Sequence, residues 1–462
     1  MSMHHSPLDK ARSLVIFLCL VLIIGLVAYA YFTDNNNSVL TKEQIEENLN
    51  SDKTIDLGDS YVSSYIKKYG IGNINSHKIN LIENYIESYF YKPLPSERDT
   101  AKKVCELYLE YFYDTTDIND KEAVTDAVIH CLIASLEDPY AYYRTADEYA
   151  EYLSSLKGGD SFVGIGVMVN SKTLQILMVY KGSGAEAAGI RRGDFIYAVD
   201  GVTIDETSAE ALTEKLRGKE GSTVNVQVKR GGNIITDLPP VERKALTEQT
   251  VSYEIDDNNV GYIYVTQFLE TTVNDFKEAV DYCVNNKAVA LVIDMRYNPG
   301  GLVTSVVSMV DYLIPDANDR MITSYPQSGQ MNIDYTVDGH GVNIPIAVIC
   351  NESTASAGEL FTASMRDFAD AEVIKAVVVG KNTFGKGIVQ SSFSYYDNSG
   401  VTFTIGYYNP PCDVNFDGIG VAPDIVVEEV DDKDAPFEVA KEEVMKLVYS
   451  INGTVGIYAP AA

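Results

Sequence analysis

The stretch AGIRRGDFIYAVDG, residues 188–201, decides how the middle of the chain is expected to fold. Gly189 predicts the end of a short helix, and Gly193-Asp194 predicts a turn. The apolar run Phe195–Val199 predicts a strand that closes in the tight turn Asp200-Gly201. Further elements are predicted around it, at Gly164–Val169, Leu174–Val179, Ala209–Arg217 and Thr223–Lys229. Short strands separated by glycine turns indicate a β-rich domain over residues 159–245.

Residues 246–432 show a different pattern, in which short apolar runs alternate with amphipathic helices. This alternation is typical of an α/β domain with a largely buried sheet. A C-terminal helix and tail are expected over residues 433–462. The strands are predicted at Val260–Val265, Ala288–Met295, Pro345–Cys350 and Ala376–Gly380, and the helices at Thr272–Cys283, Val303–Leu313 and Ser356–Phe368.

The N-terminal part contains an apolar run, Ser13–Phe32, of 20 residues without a charge. Such a run is long enough to span a hydrocarbon core of about 30 Å. Because Lys10 and Arg12 precede it, the positive-inside rule puts the N-terminus in the cytoplasm. We predict that residues 1–32 form a cytoplasmic tip and a transmembrane helix of a single-pass cell-membrane protein, whose remainder lies outside the cytoplasm. A signal peptide that is cleaved, or a buried helix, is the alternative.

Two regions separate this run from the β-rich domain. Residues 33–73 are polar and rich in Asn, Asp and Ser, without a sustained apolar period, so a linker is predicted. Residues 74–158 change to helical spacing, with helices predicted at Ala101–Tyr113 and Glu122–Leu136. The whole chain is therefore predicted to contain several domains.

Bulk composition excludes several classes of function. The chain has 462 residues and a formal net charge of -30. Nucleic acid is excluded as a partner, because phosphates are neutralised by clustered Lys and Arg. The six cysteines and five histidines are scattered, without the spacing of a zinc site or a disulfide framework. We expect neither a metal nor a cofactor.

Three segments of the α/β part combine small residues with polar groups. DMRYNPGG, residues 294–301, follows a strand, and its glycine pair lets the backbone approach a ligand at a helix start. Such amides suit one half of an oxyanion hole, although a Pro-Gly-Gly turn is often only structural. NESTASAGE, residues 351–359, puts Ser356 at a strand-to-helix junction, where a serine is either an exposed nucleophile or an N-cap.

The third segment, TFGKGIVQ at residues 383–390, sets Lys386 between two glycines. A desolvated lysine has a lowered pKa and can act as a neutral base toward a serine hydroxyl. Gln390 could hold the amine through its side-chain amide. A plain turn lysine is one alternative, and a phosphate loop is another, since Gly380–Lys386 fits GxxxxGK. Gly387, however, stands where a phosphate loop needs Ser or Thr.

In this order and behind a β-rich domain, the three segments resemble the carboxyl-terminal processing proteases, the tail-specific proteases of the S41 class. The resemblance spans about residues 75–430 and includes LEDPY at 136–140, which is similar to the family's LDP-x-S turn. It implies a ClpP/crotonase-like α/β core. It also implies a serine endopeptidase that cleaves unfolded or C-terminally exposed polypeptides through an acyl-enzyme.

The same resemblance assigns roles to single residues. Ser356 would be the nucleophile, with Ser353 as its nearby competitor, Lys386 would be the base, and Gln390 would orient the lysine. The chain departs from the family in a longer connection at 370–375 and in residues 407–413, where the family usually has a sequence like T-P-S-G-R. The oxyanion donors would be the amides of Ala357 and of Gly300 or Gly301.

The β-rich domain resembles a PDZ domain, on the run AGI-x-x-GD-x-I-x-x-VDG. PDZ domains bind extended peptides, often at a free C-terminal carboxylate, by adding a strand to a sheet edge. The resemblance implies that this domain captures substrate tails or gates the site. It also implies that residues 74–158 can form a homodimer contact. The amides that would face the carboxylate are those of Val163, Gly164, Ile165 and Gly166.

Other hypotheses compete with this interpretation. A Ser-His-Asp hydrolase would need His340, which lies in a polar turn, and no serine of the chain lies in Gly-x-Ser-x-Gly. A PDZ-bearing scaffold without activity would share the fold but not the chemistry. The run from Asp413 to Asp424 matches part of a calcium loop, although its last acidic residue is Asp rather than Glu.

Overall fold

The computed structural model describes residues 41–51, 56–170, 173–204, 209–315, 320–326, 334–336, 340–430 and 434–451. These residues belong to two compact units. One unit holds the described residues up to Asn84, together with Leu94–Glu137. The other holds Tyr85–Pro93 and the described residues from Asp138 onward.

Helices build the first unit, and side chains cap several of their starts. Ser60, Ser96 and Asp120 each accept a hydrogen bond from an amide in the first turn of the helix that follows. The helices are α1 (Lys42–Ser51), α2 (Tyr61–Lys68), α3 (Ser76–Tyr89, of which the part from Tyr85 belongs to the second unit), α4 (Glu97–Tyr111) and α5 (Lys121–Ala134). The helices predicted at Ala101–Tyr113 and Glu122–Leu136 are thus confirmed as α4 and α5, with shifted ends.

The linker predicted over residues 33–73 is wrong where the structure describes it. Helices α1 and α2 lie in this segment, and Ile45, Val62 and Ile66 are fully buried. The two helices have only 10 and 8 residues, so the surrounding polar residues hide their apolar spacing from a sequence scan. Residues 33–40 lie outside the described part. The homodimer contact stays a prediction.

The fold class predicted from the sequence includes a transmembrane helix, and this part is corrected. Among the described residues, no helix is both long and apolar enough to cross a membrane. Even the 17-residue helix Ala435–Ile451 is interrupted by Lys and Glu side chains, whereas a membrane span needs about 20 mostly apolar residues. The run Ser13–Phe32 lies outside the described residues.

Short strands and helices form the domain predicted at residues 159–245. The turn at Gly193-Asp194 is fixed by the buried Asp194 carboxylate, which accepts hydrogen bonds from Arg191 N and from the guanidinium of Arg230 at 2.6–2.9 Å. Strand β1 (Tyr142–Arg144) and helix α6 (Ala146–Lys157) precede this domain in the chain. The domain then contains β2 (Ser161–Gly164), β3 (Val167–Val169), β4 (Ile176–Val179), α7 (Gly184–Ala187), β5 (Phe195–Val199), β6 (Val202–Thr203), α8 (Ala209–Leu216), β7 (Thr223–Val224), β8 (Val226–Arg230), β9 (Asn233–Ile235), β10 (Val241–Glu242) and β11 (Lys244–Thr247).

A mainly parallel sheet forms the α/β core. Its strands are β12 (Val251–Ile255), β13 (Val260–Val265), β14 (Ala290–Asp294), β17 (Ile346–Cys350), β18 (Ala376–Gly380) and β21 (Ile425–Val426), which lie side by side in this order. Only the β12–β13 pair is antiparallel. The helices of the core are α9 (Thr272–Asn285), α10 (Val303–Leu313), α11 (Ala357–Asp370) and α12 (Ala435–Ile451).

Both faces of this sheet are covered, because successive residues of each strand point to opposite sides. Ile263 and Val265 of β13 pack in the cluster that contains α9, α10 and α11. Tyr262 and Tyr264 pack in the cluster that contains α12. The predicted α/β core is confirmed, and its helix and strand ends lie close to the predicted ones.

A second sheet was not predicted from the sequence. It contains β1, β15 (Arg320–Pro326), β16 (Asp334–Thr336), β19 (Ile388–Ser394) and β20 (Gly400–Asn409). Strand β20 pairs with β19 along one edge, while β1 and β15 share its other edge. Strand β20 of this sheet places Tyr408 beside Ser356, in the loop after β17, and beside Lys386, in the loop after β18. Because the carboxyl ends of parallel strands lie at one edge of a sheet, those loops converge there.

Candidate active site

Ser356 lies between β17 and α11 in a conformation that an L-residue rarely adopts. Its φ is +53° and its ψ is -117°, a region that is costly for a residue with a Cβ atom. The preceding residue is held by a hydrogen bond of 2.9 Å from Ala355 N to Asn298 O. Ser353, the competing serine, lies in an exposed turn and donates its amide to Asn351. The backbone strain therefore distinguishes Ser356 from Ser353.

A buried carboxylate connects Ser356 to the lysine segment. Glu359 Oε2 accepts from the amides of Ser356 and Lys386, both at 2.8 Å. Its Oε1 accepts from the Gly385 amide and from the Thr383 hydroxyl, both at 2.6 Å. Glu359 has no exposed surface, and all four of these donors come from two segments that are distant in sequence. One side chain thus fixes the backbone of the serine relative to that of the lysine.

Lys386 is partly buried between carboxylates and an aromatic ring. Its Nζ lies 3.9 Å from the centroid of the Tyr140 ring, a cation–π distance. Burial lowers the pKa of Lys386 below its ordinary value of 10.5, while the carboxylates of Asp138, Glu359 and Asp417 act in the opposite direction. Within the described residues, no hydrogen bond joins Lys386 Nζ to Ser356 Oγ.

Tyr408 contacts both the serine and the lysine. Its hydroxyl lies 3.3 Å from Ser356 Oγ and 3.0 Å from the carbonyl oxygen of Lys386. The side chain is almost completely buried, and burial raises the pKa of Tyr408 well above its usual range. Its hydroxyl is therefore neutral near pH 7 and acts only as a hydrogen-bonding group.

The structure does not bring Gln390 to Lys386 as predicted. Gln390 Nε2 instead lies 3.4 Å from the hydroxyl of Thr404 on β20. Pairing between β19 and β20 shifts register between Val389 and Gln390, and such a shift changes the direction in which a strand residue points. A sequence motif does not encode this shift.

Glycine is required where the loop after β14 passes the serine. A Cβ atom on Gly300 would lie 2.8 Å from Ser356 Cβ and 3.0 Å from Ala357 N, so no other residue fits there. The Gly300 amide donates to Asn298 Oδ1 at 2.8 Å. Across the residues that the structure describes, the amides of Ala357 and Gly301 donate no hydrogen bond. These two amides, rather than that of Gly300, are available to an oxyanion.

The run from Asp413 to Asp424 supports the lysine loop instead of forming the ligand set of a calcium loop. Asn415 Nδ2 donates to the carbonyls of Gly387 and Tyr408 at 2.9 and 2.8 Å. Asp417 Oδ1 accepts from the Gly387 amide at 3.0 Å. Asp424 likewise accepts the Val378 amide. The polar side chains of this run are thus engaged by protein groups.

A cavity of about 550 Å³ lies in the PDZ-like domain, along β2, β3 and α8. Three of the four residues predicted to bind a peptide carboxylate line it, namely Gly164, Ile165 and Gly166. Val163 does not line it, and its backbone pairs with Ala245 of β11. Leu212 and Leu216 of α8 add an apolar wall. This groove between a strand and a helix has the shape that strand addition requires.

Sequence reasoning missed four residues of this site. Tyr140 and Asp138 belong to the segment LEDPY, which was noted only as a similarity. Glu359 has the S-x-x-E spacing of a capping box with Ser356, a signal that was available in the sequence. Tyr408 gave no signal, because its role depends on the pairing of β19 with β20. His340 stacks on Tyr312 at 4.7 Å between ring centroids, and in the described part of the chain it has no contact with Ser356.

Comparison with known proteins identifies the two domains. The family model "Peptidase family S41" matches residues 259–427, and the model "PDZ domain" matches residues 161–236. A Bacteroides fragilis structure assigned to the S41 proteases shares the fold, with a TM-score of 0.50 and 18% identity over 81% of this chain and 97% of that chain.

Curated relatives show closer sequence similarity. The carboxy-terminal processing protease CtpA of Bacillus subtilis is 33% identical over 67% of this chain, which spans 64% of that protein. The carboxyl-terminal-processing protease of a Picosynechococcus strain is 30% identical over 64% of this chain and 72% of that protein. The chain thus spans about two thirds of the length of such relatives. It belongs to peptidase family S41 and is similar to the carboxyl-terminal processing proteases.

Proposed function

We propose that this protein is a serine endopeptidase that cleaves polypeptides near or from their C-terminal tails, with Ser356 as nucleophile and Lys386 as base. The proposal rests on one observation: Glu359 binds the amides of both the strained Ser356 and the partly desolvated Lys386. Membership of family S41 supports the reaction class, and the names of the relatives support the substrate class.

The proposed reaction begins when neutral Lys386 accepts the Ser356 hydroxyl proton and Oγ attacks the scissile carbonyl. The amides of Ala357 and Gly301 would stabilise the oxyanion. Collapse of the intermediate would break the C–N bond, the leaving amine would take the proton from Lys386, and an acyl-enzyme would remain. Water would then release the acyl group, with Lys386 again as base. For the first step, Lys386 Nζ must move from the Tyr140 ring to Ser356 Oγ. Hydrogen bonds between catalytic groups often tighten only when substrate binds.

Gln390 would take part only if the side chains rearrange. In the described structure its amide binds Thr404, whose own amide donates to Asp138 at 3.0 Å. Asp138 is one of the carboxylates that act on Lys386. Gln390 is therefore proposed as part of the lysine's surroundings rather than as its direct partner.

Replacement of either member of the pair tests the proposal. We expect Ser356→Ala and Lys386→Ala each to lower the rate of casein degradation by at least about 10³-fold, because each removes a group on which the covalent step depends. Ser353→Ala and Lys381→Ala, which change the same residue types nearby, should keep wild-type rates. If wild type and all four variants bind C-terminal peptides but leave casein intact, the protein is a scaffold and the proposal is wrong.

The pH dependence tests the role of Lys386 as a neutral base. Below its pKa the lysine is protonated and inactive, so kcat/KM should rise with pH through a pKa that lies below 10.5. Asp417→Asn removes a carboxylate that favours the charged lysine, while a side-chain oxygen remains for the Gly387 amide. In Asp417→Asn the rising limb of the kcat/KM profile should therefore move to lower pH. Asp413→Asn in the same loop should leave it in place, and a limb that moves to higher pH in Asp417→Asn would contradict this role.

We further propose that the PDZ domain captures a substrate tail and gates the active site. The groove residue Asn170 donates a hydrogen bond of 2.7 Å to the hydroxyl of Tyr297. Tyr297 precedes Gly300 in the loop after β14 and has a positive φ of 63°. A peptide that moves the wall of the groove would therefore act on the loop that carries an oxyanion donor.

Arg192 supplies a second connection between the PDZ domain and this loop. Its guanidinium lies 3.9 Å from the ring centroid of Tyr262 and 4.3 Å from that of Phe437. It also pairs with Asp434 at 3.1 Å, and Asp434 binds Arg296 at 2.8 Å. Arg296 is the neighbour of Tyr297 in the chain. Movement of the PDZ domain would thus disturb charges that hold the start of the loop.

Neighbouring arginines provide a matched test of gating. A peptide with a free C-terminal carboxylate should stimulate cleavage of a short reporter that does not fill the groove. Arg192→Ala should reduce this stimulation by about fivefold or more, the lower range of typical coupling between sites, with unchanged peptide affinity. Arg191→Ala, which truncates an exposed arginine, should behave as wild type. Equal stimulation in both variants would rule out gating through Arg192.

A further inference from the structure

Tyr408 is held in place on every side, so the position of its hydroxyl is fixed by the fold. Its amide donates to the Gly387 carbonyl at 3.2 Å, and its carbonyl accepts from Asn415 Nδ2 at 2.8 Å. Its ring packs edge-on against Phe416, with 5.7 Å between centroids. Only 2% of the residue is exposed. The hydroxyl therefore has a defined location between the serine and the lysine segments.

The Tyr408 hydroxyl has two contacts but only one proton to donate. A phenol has one proton to donate, and a backbone carbonyl can only accept. The Lys386 carbonyl lies closer, at 3.0 Å, than Ser356 Oγ at 3.3 Å. The single phenol proton can be donated to the carbonyl or to Ser356 Oγ, and when it is donated to Oγ the proton of Ser356 itself stays free for Lys386 Nζ.

We propose that Tyr408 is a positioning residue for Ser356, holding the serine hydroxyl at a fixed place relative to the backbone of Lys386. The inference rests on the proposed protease function and goes beyond the Ser–Lys pair itself. In the attack the Ser356 O–H bond breaks, its proton passes to Lys386 Nζ, and Oγ forms a bond to the scissile carbon. Tyr408 takes no proton in this step, since its own proton stays on the phenol oxygen and is donated to Ser356 Oγ.

The role differs from that of the Glu359 carboxylate, which fixes the two backbones through their amides. Without the Tyr408 hydroxyl, Ser356 Oγ would lose a hydrogen bond that restricts its rotation. Misplacement of a reacting atom by about 1 Å can lower a rate by about 100-fold. The loss should fall on the chemical step and not on substrate binding, because Tyr408 is buried and the groove of the PDZ domain lies elsewhere in the fold.

Two neighbouring tyrosines allow a matched experiment on the full chain, with a quenched peptide substrate. Tyr408→Phe removes one oxygen and keeps the ring, and we expect kcat to fall about 10- to 100-fold with KM unchanged. Tyr407→Phe makes the same chemical change at the next residue of β20, whose side chain is 37% exposed. It should keep the wild-type kcat. The Tm of both variants should stay within about 5 °C of wild type.

Each outcome decides the inference. A wild-type kcat in Tyr408→Phe would overturn the inference and leave the protease function intact. Equal losses in kcat, substrate affinity and Tm would also overturn it, because they indicate a merely structural role. If wild type itself does not cleave any peptide, the protease function fails, and the inference falls with it. A selective loss of kcat in Tyr408→Phe, absent from Tyr407→Phe, supports it.

Discussion

The buried carboxylate of Glu359 is the constraint on which the rest of the site depends. It accepts four hydrogen bonds, from the amides of Ser356, Gly385 and Lys386 and from the Thr383 hydroxyl. A buried carboxylate with fewer donors would be strongly destabilising, so the helix start and the lysine loop must be in place together. Gly300 then fits against Ser356 without a side chain, and Asn415 and Asp417 hold Gly387 from the other side. The backbones of Ser356 and Lys386 thus belong to one hydrogen-bonded unit.

Much of this arrangement follows from sequence patterns with a local physical basis. The strands at Val260–Val265 and Ala376–Gly380 and the helix at Val303–Leu313 have the predicted bounds, because apolar runs and helical spacing are set by nearby residues. Parallel strands bring their carboxyl ends to one edge, and this alone predicts that Ser356, Lys386 and the Gly300-Gly301 turn lie close together. The turn at Gly193-Asp194 formed as expected for the same reason: its glycine and aspartate act locally.

What the sequence did not predict depends on contacts between distant segments. Tyr408 and Gln390 lie on β20 and β19, and the register shift at Gln390 turns its side chain to Thr404 instead of Lys386. Tyr140 reaches Lys386 from a segment that precedes the PDZ domain. The short helices α1 and α2 were hidden because they have only 10 and 8 residues among polar neighbours. The run from Asp413 to Asp424 resembled a calcium loop, yet its side chains bind other groups of the protein. A spacing pattern cannot distinguish side chains that bind protein groups from side chains that bind an ion.

The central claim, that Glu359 holds a reactive Ser356 against the lysine loop, is tested most directly by covalent labelling. Fluorophosphonates react with activated serines, and peptide mapping by mass spectrometry identifies the residue modified. The account predicts one adduct, on Ser356, and a labelling rate at least about tenfold lower in Glu359→Gln, whose amide nitrogen cannot accept the amide protons that the lost oxygen bound. Glu352→Gln, at an exposed acid of the same loop, should label at the wild-type rate. An adduct on another serine, or equal rates in Glu359→Gln and wild type, would contradict the account.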